Sequence, residues 1–174
     1  MPVIEGLAKR VGVPISVDTY KAEVARRSLE AGASMVNDVW GLKADPKVAQ
    51  AAAQAKAPLI LMHNQHGTQY QEFMADLKAS LEGSVAQALA AGVPADKIIV
   101  DPGFGFGKTP LHNLELLRRL MELKALGFPL LMGTSRKSTI GLVLGLPAED
   151  RVEGTAATVV ISIAADASTR SRRA

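Results

Sequence analysis

Acidic and amide side chains that suit the polar edge of a small molecule lie at the ends of three short apolar runs. "SVDT" contains Asp18, "VND" contains Asn37, and Asp101 follows "KIIV". A carboxylate at the end of a buried strand needs a partner, because an unpaired buried charge is costly. A guanidine-like edge with two adjacent N–H donors would satisfy Asp101 in a bidentate manner. The residue types therefore point to a ligand with such an edge.

Each of these residues also has a local structural interpretation. Asp18 is placed to cap a following helix that has Glu23 in its first turns. Asn37 and Asp38 suit an Asx turn, and Asp101 suits a helix cap after a simple turn. The residues by themselves leave both interpretations open.

The segment "DPGFGFGKT" at residues 101–109, here termed the glycine loop, resembles a phosphate-binding loop but fails its spacing. A Walker A loop is G-x-x-x-x-G-K-[ST], and counting back from Gly107 places its first glycine at Pro102. The dinucleotide pattern G-x-G-x-x-G fails as well, because it requires glycine where Lys108 stands. The glycines permit a tight turn, and the two phenylalanines suit the walls of a pocket for a flat ring.

Two cations and three histidines are the other candidates for chemistry. Arg136 and Lys137 lie among small donors in "GTSRKS", which suits an anion or a carbonyl-bearing ring, or else solvated cations at a helix end. A zinc site at His63 and His66 would need a third ligand, such as His112 or a carboxylate. Their strand and loop setting, rather than one helix face, argues against zinc.

Short apolar runs alternate with longer helical patterns along the chain, which predicts a parallel sheet with helices between its strands. The predicted strands are "PISVDT", "SMVNDV", "PLILMHN", "DKIIVDP" and "FPLLMGTS". The predicted helices are "KAEVARRSLEAGA", "DPKVAQAAAQAKA", about Tyr70 to Ala91, "PLHNLELLRRLMELKALG" and "VEGTAATVVISIAA". The last of these contains a β-branched Val-Val-Ile core typical of a strand, but its alanine content favours a helix.

Polar residues end all five predicted strands, and this pattern helps to choose the architecture. In a (β/α)8 barrel every strand delivers its C-terminal end to one mouth, where the chemistry lies. In an open doubly wound sheet only the strands at the switch point face the ligand. We therefore predict an α/β fold, an incomplete (β/α)8 TIM barrel of about five parallel strands alternating with helices. Five strands do not close such a barrel, so two strand edges are left unpaired.

Composition limits the remaining classes of function. The 174 residues carry a net charge of +3, and three arginines of the final segment account for it, so the body is near neutral. With only 4% aromatic residues besides, the sequence argues against nucleic-acid binding. No apolar run approaches the ~18 residues of a membrane helix, and no secretory signal is visible, so we expect a cytoplasmic protein. We expect one domain at residues 1–165 and a polar, basic, disordered tail at residues 166–174.

Five segments together resemble the dihydropteroate synthases, pterin-binding barrel enzymes of folate biosynthesis. They are "SVDTYK", "GASMVNDVWG", "LILMHNQ", "IIVDPGFGFGKT" and "GTSRKSTIG". The similarity runs from about Pro2 to Ile163. The related pterin-dependent methyltransferases share the barrel but generally lack the glycine loop and the Ser-Arg-Lys turn together.

The resemblance implies a transferase that joins 6-hydroxymethyl-7,8-dihydropterin pyrophosphate to p-aminobenzoate and releases pyrophosphate. It assigns to the pterin Asp18, Asn37, Met62, Asp101, Phe106, Gly133 and Lys137. Of these, Asp101 and Lys137 are the implied catalytic residues, since the pterin edge offers a donor pair to the first and a carbonyl to the second. Arg136 is implied on the p-aminobenzoate side. Mg²⁺ is the implied cofactor, with no ligand for it assigned in this sequence, and a homodimer is the implied assembly.

The resemblance also implies that the sequence is truncated at both ends relative to the family. It covers about the third to seventh βα units, and the segments that contact pyrophosphate in the family have no counterpart in it. We therefore expect weak or absent turnover from these residues alone. The alternatives are a non-catalytic pterin-binding module and a pterin-dependent methyltransferase.

Overall fold

Parallel strands alternate with helices in the computed structural model, which describes residues 1–165 and 167–169. The strands are β1 (Ser16–Asp18), β2 (Met35–Asp38), β3 (Leu59–Met62), β4 (Ile98–Asp101), β5 (Leu131–Met132) and β6 (Ser168–Thr169). The α-helices are α1 (Pro2–Ala8), α2 (Ala22–Glu30), α3 (Lys47–Gln54), α4 (Phe73–Ala90), α5 (Pro110–Arg118), α6 (Ser138–Leu144) and α7 (Val152–Ala164). Short 3-10 helices occupy Ala95–Lys97, Leu120–Leu126 and Ala148–Asp150. The predicted alternation of strands and helices is confirmed.

The first four strands form one sheet in the order β1-β2-β3-β4. β1 pairs in parallel with β2, and β2 with β3. This order follows the chain without a reversal, as in a (β/α)8 barrel. A doubly wound sheet would instead reverse its strand order at a switch point. The strand order therefore favours the barrel architecture over the open sheet.

The chain folds into two compact units. Unit 1 comprises Met1–His63 and Ser80–Val100, and unit 2 comprises Asn64–Ala79 and the described residues from Asp101 onward. The core of unit 1 joins strand side chains to small residues of α2 and α3; it includes Ala25, Val36, Val48, Ala52, Leu59, Leu61, Ile98 and Val100. The core of unit 2 is built mainly from the glycine loop, α5 and the 3-10 helix that follows it; it includes Phe104, Leu116, Leu120, Leu123, Met132 and Ile140.

One predicted helix divides in the structure. The sequence predicts a single amphipathic helix up to Gly127, whereas α5 ends at Arg118 and a 3-10 helix continues over Leu120–Leu126. The tighter winding repeats every three residues and so directs both Leu120 and Leu123 into the core. Gly127 ends the segment in the left-handed conformation, with φ of 75°, as predicted.

The C-terminal described segment forms the predicted helix and one strand that the sequence did not predict. Helix α7 confirms the choice of helix over strand for "VEGTAATVVISIAA". The short β6 pairs in parallel with β5, Leu131 lying opposite Ser168. Of the predicted tail, Asp166 and residues 170–174 lie outside the described residues, and residues 168–169 form β6. Among the described helices, none combines the length and the apolar character that crossing a bilayer requires.

Candidate functional site

The register between β1 and β2 brings Asp18 and Asn37 side by side in unit 1. The two residues are partners in the parallel ladder. Asn37 Nδ2 donates a hydrogen bond of 2.9 Å to Asp18 Oδ1. Asn37 is only 4% exposed, and its Oδ1 atom is buried without a hydrogen-bond donor. A buried acceptor left unsatisfied costs about 1–3 kcal/mol, so this strand-end pair suits a ligand that supplies an N–H donor.

The interpretation of Asp18 as a helix cap is wrong. Helix α2 begins at Ala22, after Lys21 at the N-cap position. The Lys21 N–H donates to Thr19 Oγ1 over 3.1 Å, and the Ala22 N–H donates to Asp45 Oδ2 over 2.9 Å. Asp45 thus caps α2, and its other carboxylate oxygen accepts from the Lys47 N–H at the first residue of α3.

Asp38 has the structural role expected of an Asx turn. Its carboxylate accepts backbone hydrogen bonds from Trp40, at 2.9 Å, and from Leu42, at 2.8 Å. Burial raises the pKa of Asp38, and these hydrogen bonds oppose that rise. Gly41 in the same turn has φ of 56°, and an added Cβ would lie 2.8 Å from the carbonyl oxygen of Met62. The turn therefore packs directly on the end of β3, where Met62 is buried.

The backbone of the glycine loop in unit 2 requires its three glycines. Gly103, Gly105 and Gly107 have φ of 70°, 83° and 56°, a backbone region that residues with a side chain rarely adopt. Asp101 is buried where β4 ends, and its Oδ1 atom accepts a hydrogen bond of 2.7 Å from the Gly103 N–H. This bond orients the carboxylate that the sequence singled out.

Lys108 stabilises the glycine loop from within. Its Nζ atom donates to the carbonyl oxygens of Gly103, at 3.1 Å, and Phe106, at 3.0 Å, and the residue is only 9% exposed. The Tyr70 hydroxyl donates to a third loop carbonyl, that of Gly107, over 2.7 Å. The lysine that gives the segment its likeness to a phosphate-binding loop is thus directed into the loop, in agreement with the failed spacing.

Lys137 and Phe106, both assigned to the pterin by resemblance, are in contact. The Lys137 ammonium lies 3.9 Å from the centroid of the Phe106 ring, a cation–π geometry. A Cβ on Gly105 would lie 3.0 Å from Lys137 Cδ, so the lysine stem crosses the loop where a side chain is missing. The structure therefore brings these two predicted site residues together in unit 2.

Arg136 adopts a left-handed backbone conformation that two hydrogen bonds maintain. Its φ is 50°, a conformation that costs a non-glycine residue about 1–2 kcal/mol. The Arg136 N–H donates to Thr155 Oγ1 over 3.0 Å, and its carbonyl accepts from Arg151 Nη1 over 3.1 Å. Its side chain is exposed and thus accessible to a ligand. Gly133, the remaining assigned residue, has open space where a Cβ would lie.

The histidines do not form a metal site in the described part of the chain. His112 belongs to a capping box: its N–H donates to Thr109 Oγ1 over 3.1 Å, and its Nδ1 accepts from the Thr109 N–H over 3.3 Å. Its ring also stacks on Phe73, with centroids 4.7 Å apart. Among residues 1–165 and 167–169, no three His, Asp or Glu side chains converge to hold a metal ion. Mg²⁺ stays a prediction of the resemblance.

The comparisons with known proteins agree with this geometry. A family model described as "Pterin binding enzyme" matches residues 1–170. The dihydropteroate synthase of Clostridium beijerinckii is 48% identical over 167 residues, which are 96% of this chain and 62% of that protein. The Bacillus subtilis enzyme is 50% identical over 163 residues, 94% of this chain and 57% of that protein. The crystal structure of dihydropteroate synthase from Clostridium difficile in the presence of pteroic acid has a TM-score of 0.94 at 47% identity, covering 97% of this chain and 64% of that one.

The chain belongs to the pterin-binding enzyme family. Its resemblance to dihydropteroate synthase is confirmed, and so is the α/β fold of an incomplete (β/α)8 barrel. The chain spans about 60% of the length of the curated relatives it matches, at 62% and 57% for the two bacterial enzymes.

The sequence missed three structural residues around the site. Lys108, Asn113 and Arg151 each hydrogen-bond to the backbone of segments that carry assigned residues. Lys108 stands in a motif that suggested a ligand, and a polar residue at a core-facing helix position was the available signal for Asn113. No comparable signal marks Arg151.

Proposed function

We propose that this chain carries the pterin-binding part of a dihydropteroate synthase. The reaction is the condensation of 6-hydroxymethyl-7,8-dihydropterin pyrophosphate with p-aminobenzoate to give 7,8-dihydropteroate and pyrophosphate. The observation that carries the proposal is the unsatisfied Oδ1 of buried Asn37, beside Asp18. A pterin has N–H donors along one edge, and such a donor would remove the cost of this buried acceptor.

The side chains of unit 2 also suit a pterin. The pterin amino group and its neighbouring ring N–H form a donor pair that matches a carboxylate such as Asp101. A carboxylate has about four acceptor positions, so the bond from Gly103 is compatible with a bidentate ligand contact. The Lys137 ammonium would donate to the pterin carbonyl. A flat ring would also pack well against the exposed part of Phe106.

In the proposed reaction the protein orients two substrates and favours loss of the leaving group. The amine nitrogen of p-aminobenzoate bonds to the pterin methylene carbon, the bond from that carbon to the pyrophosphate oxygen breaks, and the nitrogen releases one proton. Asp101 and Lys137 would hold the ring so that the methylene faces the amine. Arg136 would bind on the p-aminobenzoate side. Mg²⁺, when bound, would neutralise charge on pyrophosphate, and we assign no step to it.

Pterin binding by the 174 residues is the direct test. Calorimetry with a 6-hydroxymethylpterin that lacks pyrophosphate should show binding by the wild-type chain. Asn37→Leu should weaken this binding at least about tenfold, while the free energy of unfolding changes by less than about 1 kcal/mol, because the lost amide already carries an unsatisfied atom. Gln54→Leu, at an exposed amide of α3, is the matched control and should bind normally.

Two outcomes would contradict the proposal. Either the wild-type chain does not bind the pterin, or Asn37→Leu binds it as tightly as the wild type. An assay with both substrates and Mg²⁺ then separates the synthase from a non-catalytic module, and we expect weak turnover because the resemblance places the pyrophosphate contacts in segments outside these residues. Dependence on methyl-tetrahydrofolate and a corrinoid partner would instead indicate the methyltransferase.

A further inference from the structure

Asn113, on α5, hydrogen-bonds to two residues of the glycine loop and to one residue of α6. Its Oδ1 accepts from the Gly105 N–H over 2.8 Å. Its Nδ2 donates to the Thr109 carbonyl over 3.1 Å and to Thr139 Oγ1 over 2.9 Å. The residue is 1% exposed, so these bonds form away from water, where an amide must find partners. One buried side chain thus joins α5 to the glycine loop and to the first turn of α6.

The joined segments carry two residues assigned to the pterin. Gly105 precedes Phe106, and Thr139 lies two residues after Lys137. Lys137 is the N-cap residue of α6, so the position of the first turn of α6 determines the position of the Lys137 backbone, from which the side chain extends. Its stem crosses Gly105, and its ammonium lies 3.9 Å from the Phe106 centroid. A shift of α6 relative to the loop would separate the ammonium from the ring.

Stability of α5 alone does not account for Asn113. The helix is already capped by the reciprocal bonds between Thr109 and His112, and it is anchored in the core by Leu116 and Leu117. An apolar residue would also fill a buried position, without the ordering that an amide with three partners imposes. What the amide adds is a defined geometry between the loop and α6.

We propose that Asn113 is a positioning residue for pterin binding: through Gly105 and Thr139 it holds the Lys137 ammonium over Phe106. This inference rests on the proposed function for the identity of the ligand. The proposed geometry does not depend on the proposed function, because it is measurable without a ligand.

The test uses Thr139 rather than Asn113, because removing Asn113 breaks three bonds and could prevent folding. Thr139→Val preserves the shape of the side chain and removes only the acceptor for Asn113. Thr139→Ser restores the hydroxyl. Thr158→Val is the matched control, since it removes another buried threonine hydroxyl of unit 2, which bonds to the Thr155 carbonyl on α7.

Two measurements are made on the four proteins. The first is the NMR shift of the Lys137 ε-protons, which the Phe106 ring current displaces upfield in the wild type. The second is pterin affinity by calorimetry. We expect Thr139→Val to lose most of the upfield shift and to bind pterin about five- to tenfold more weakly, Thr139→Ser to restore both, and Thr158→Val to retain both.

The result that would overturn the proposal is a Thr139→Val protein with wild-type ring-current shift and wild-type affinity. Equal losses of ring-current shift and pterin affinity in Thr139→Val and Thr158→Val would also overturn the proposal, because they would indicate a general loss of stability. If the wild type binds no pterin, the proposed function fails, and the ring-current shifts alone decide whether Asn113 positions Lys137.

Discussion

The strand-end pair of unit 1, Asp18 and Asn37, and the glycine loop of unit 2 are held in place by different means. The pair is placed by the β1–β2 register, and a single hydrogen bond links its two side chains. The glycine loop has no regular backbone ladder, and side chains bind its peptide groups. Tyr70, Lys108 and Asn113 bind five of these groups, at Gly103, Gly105, Phe106, Gly107 and Thr109.

The difference has a general physical reason. A strand satisfies its own peptide groups through its neighbours, so the strand does not itself require the side chain at its end as a hydrogen-bond partner. An irregular loop must find donors and acceptors among side chains, because buried peptide groups without partners are costly. Lys108 and Thr109 of the glycine loop are therefore structural, although they match the lysine and threonine of a phosphate-binding motif in the sequence. Substitutions in the loop should then affect folding and binding, and those in the strand-end pair should affect binding alone.

The largest expected effect tests the loop backbone. Gly107→Ala should destabilise the protein by about 3 kcal/mol, because φ is 56° and the added Cβ would lie 2.9 Å from the Gln65 carbonyl oxygen. Gly6→Ala, with open space in α1, should instead stabilise it by about 0.5–1 kcal/mol. Chemical denaturation of the two variants measures both. A Gly107→Ala protein as stable as the wild type would contradict the claim that substitutions in the glycine loop affect folding.

An intermediate effect separates two lysines of unit 2. Lys108→Met should lower the free energy of unfolding by about 2 kcal/mol, since two loop carbonyls lose a buried charged donor. Lys137→Met should change it by less than about 1 kcal/mol, the value of a partly exposed cation–π contact, yet should remove most pterin binding. Thermal unfolding measures the stability of both variants, and pterin calorimetry measures their binding. If Lys137→Met lost more stability than Lys108→Met, the assignment of structural and ligand-binding lysines would be reversed.

The smallest effect concerns pH. Burial, aided by the charge of Asp76, raises the pKa of Tyr70 from 10.0 to about 12. Because the folded state favours the neutral phenol, this stability is fully present below pH 10 and is lost as pH rises through about 12. Tyr70→Phe should cost about 1 kcal/mol at neutral pH, for the lost bond to Gly107, and should lack this part of the alkaline decline. An identical slope of stability against pH between 10 and 12 in both proteins would contradict the assignment.

Local pattern in the sequence was enough for several features. The alternation of apolar runs and helical patterns predicted the parallel α/β fold. The helix end at Gly127 followed from its residue type. These features depend on residues that are close together in the chain, so they can be predicted from one sequence.

Other features depend on residues far apart in the chain, and the sequence alone did not contain them. The register that pairs Asp18 with Asn37 joins positions 19 residues apart, and Asn113 meets Thr139 over a separation of 26. The division of the predicted helix after Arg118 also escaped prediction, because the burial of Leu120 and Leu123 decided it.

The residue types and local spacing determined which side chains are candidates for chemistry, Asp18, Asn37, Asp101 and Lys137 among them, and their roles stay predictions. Only the tertiary structure decided what each polar group binds. Lys108 and Lys137 are alike as residues, yet one donates to loop carbonyls and the other lies over Phe106. The physical reason is that hydrogen bonding and burial are set by distances between segments, and packing alone brings those segments together.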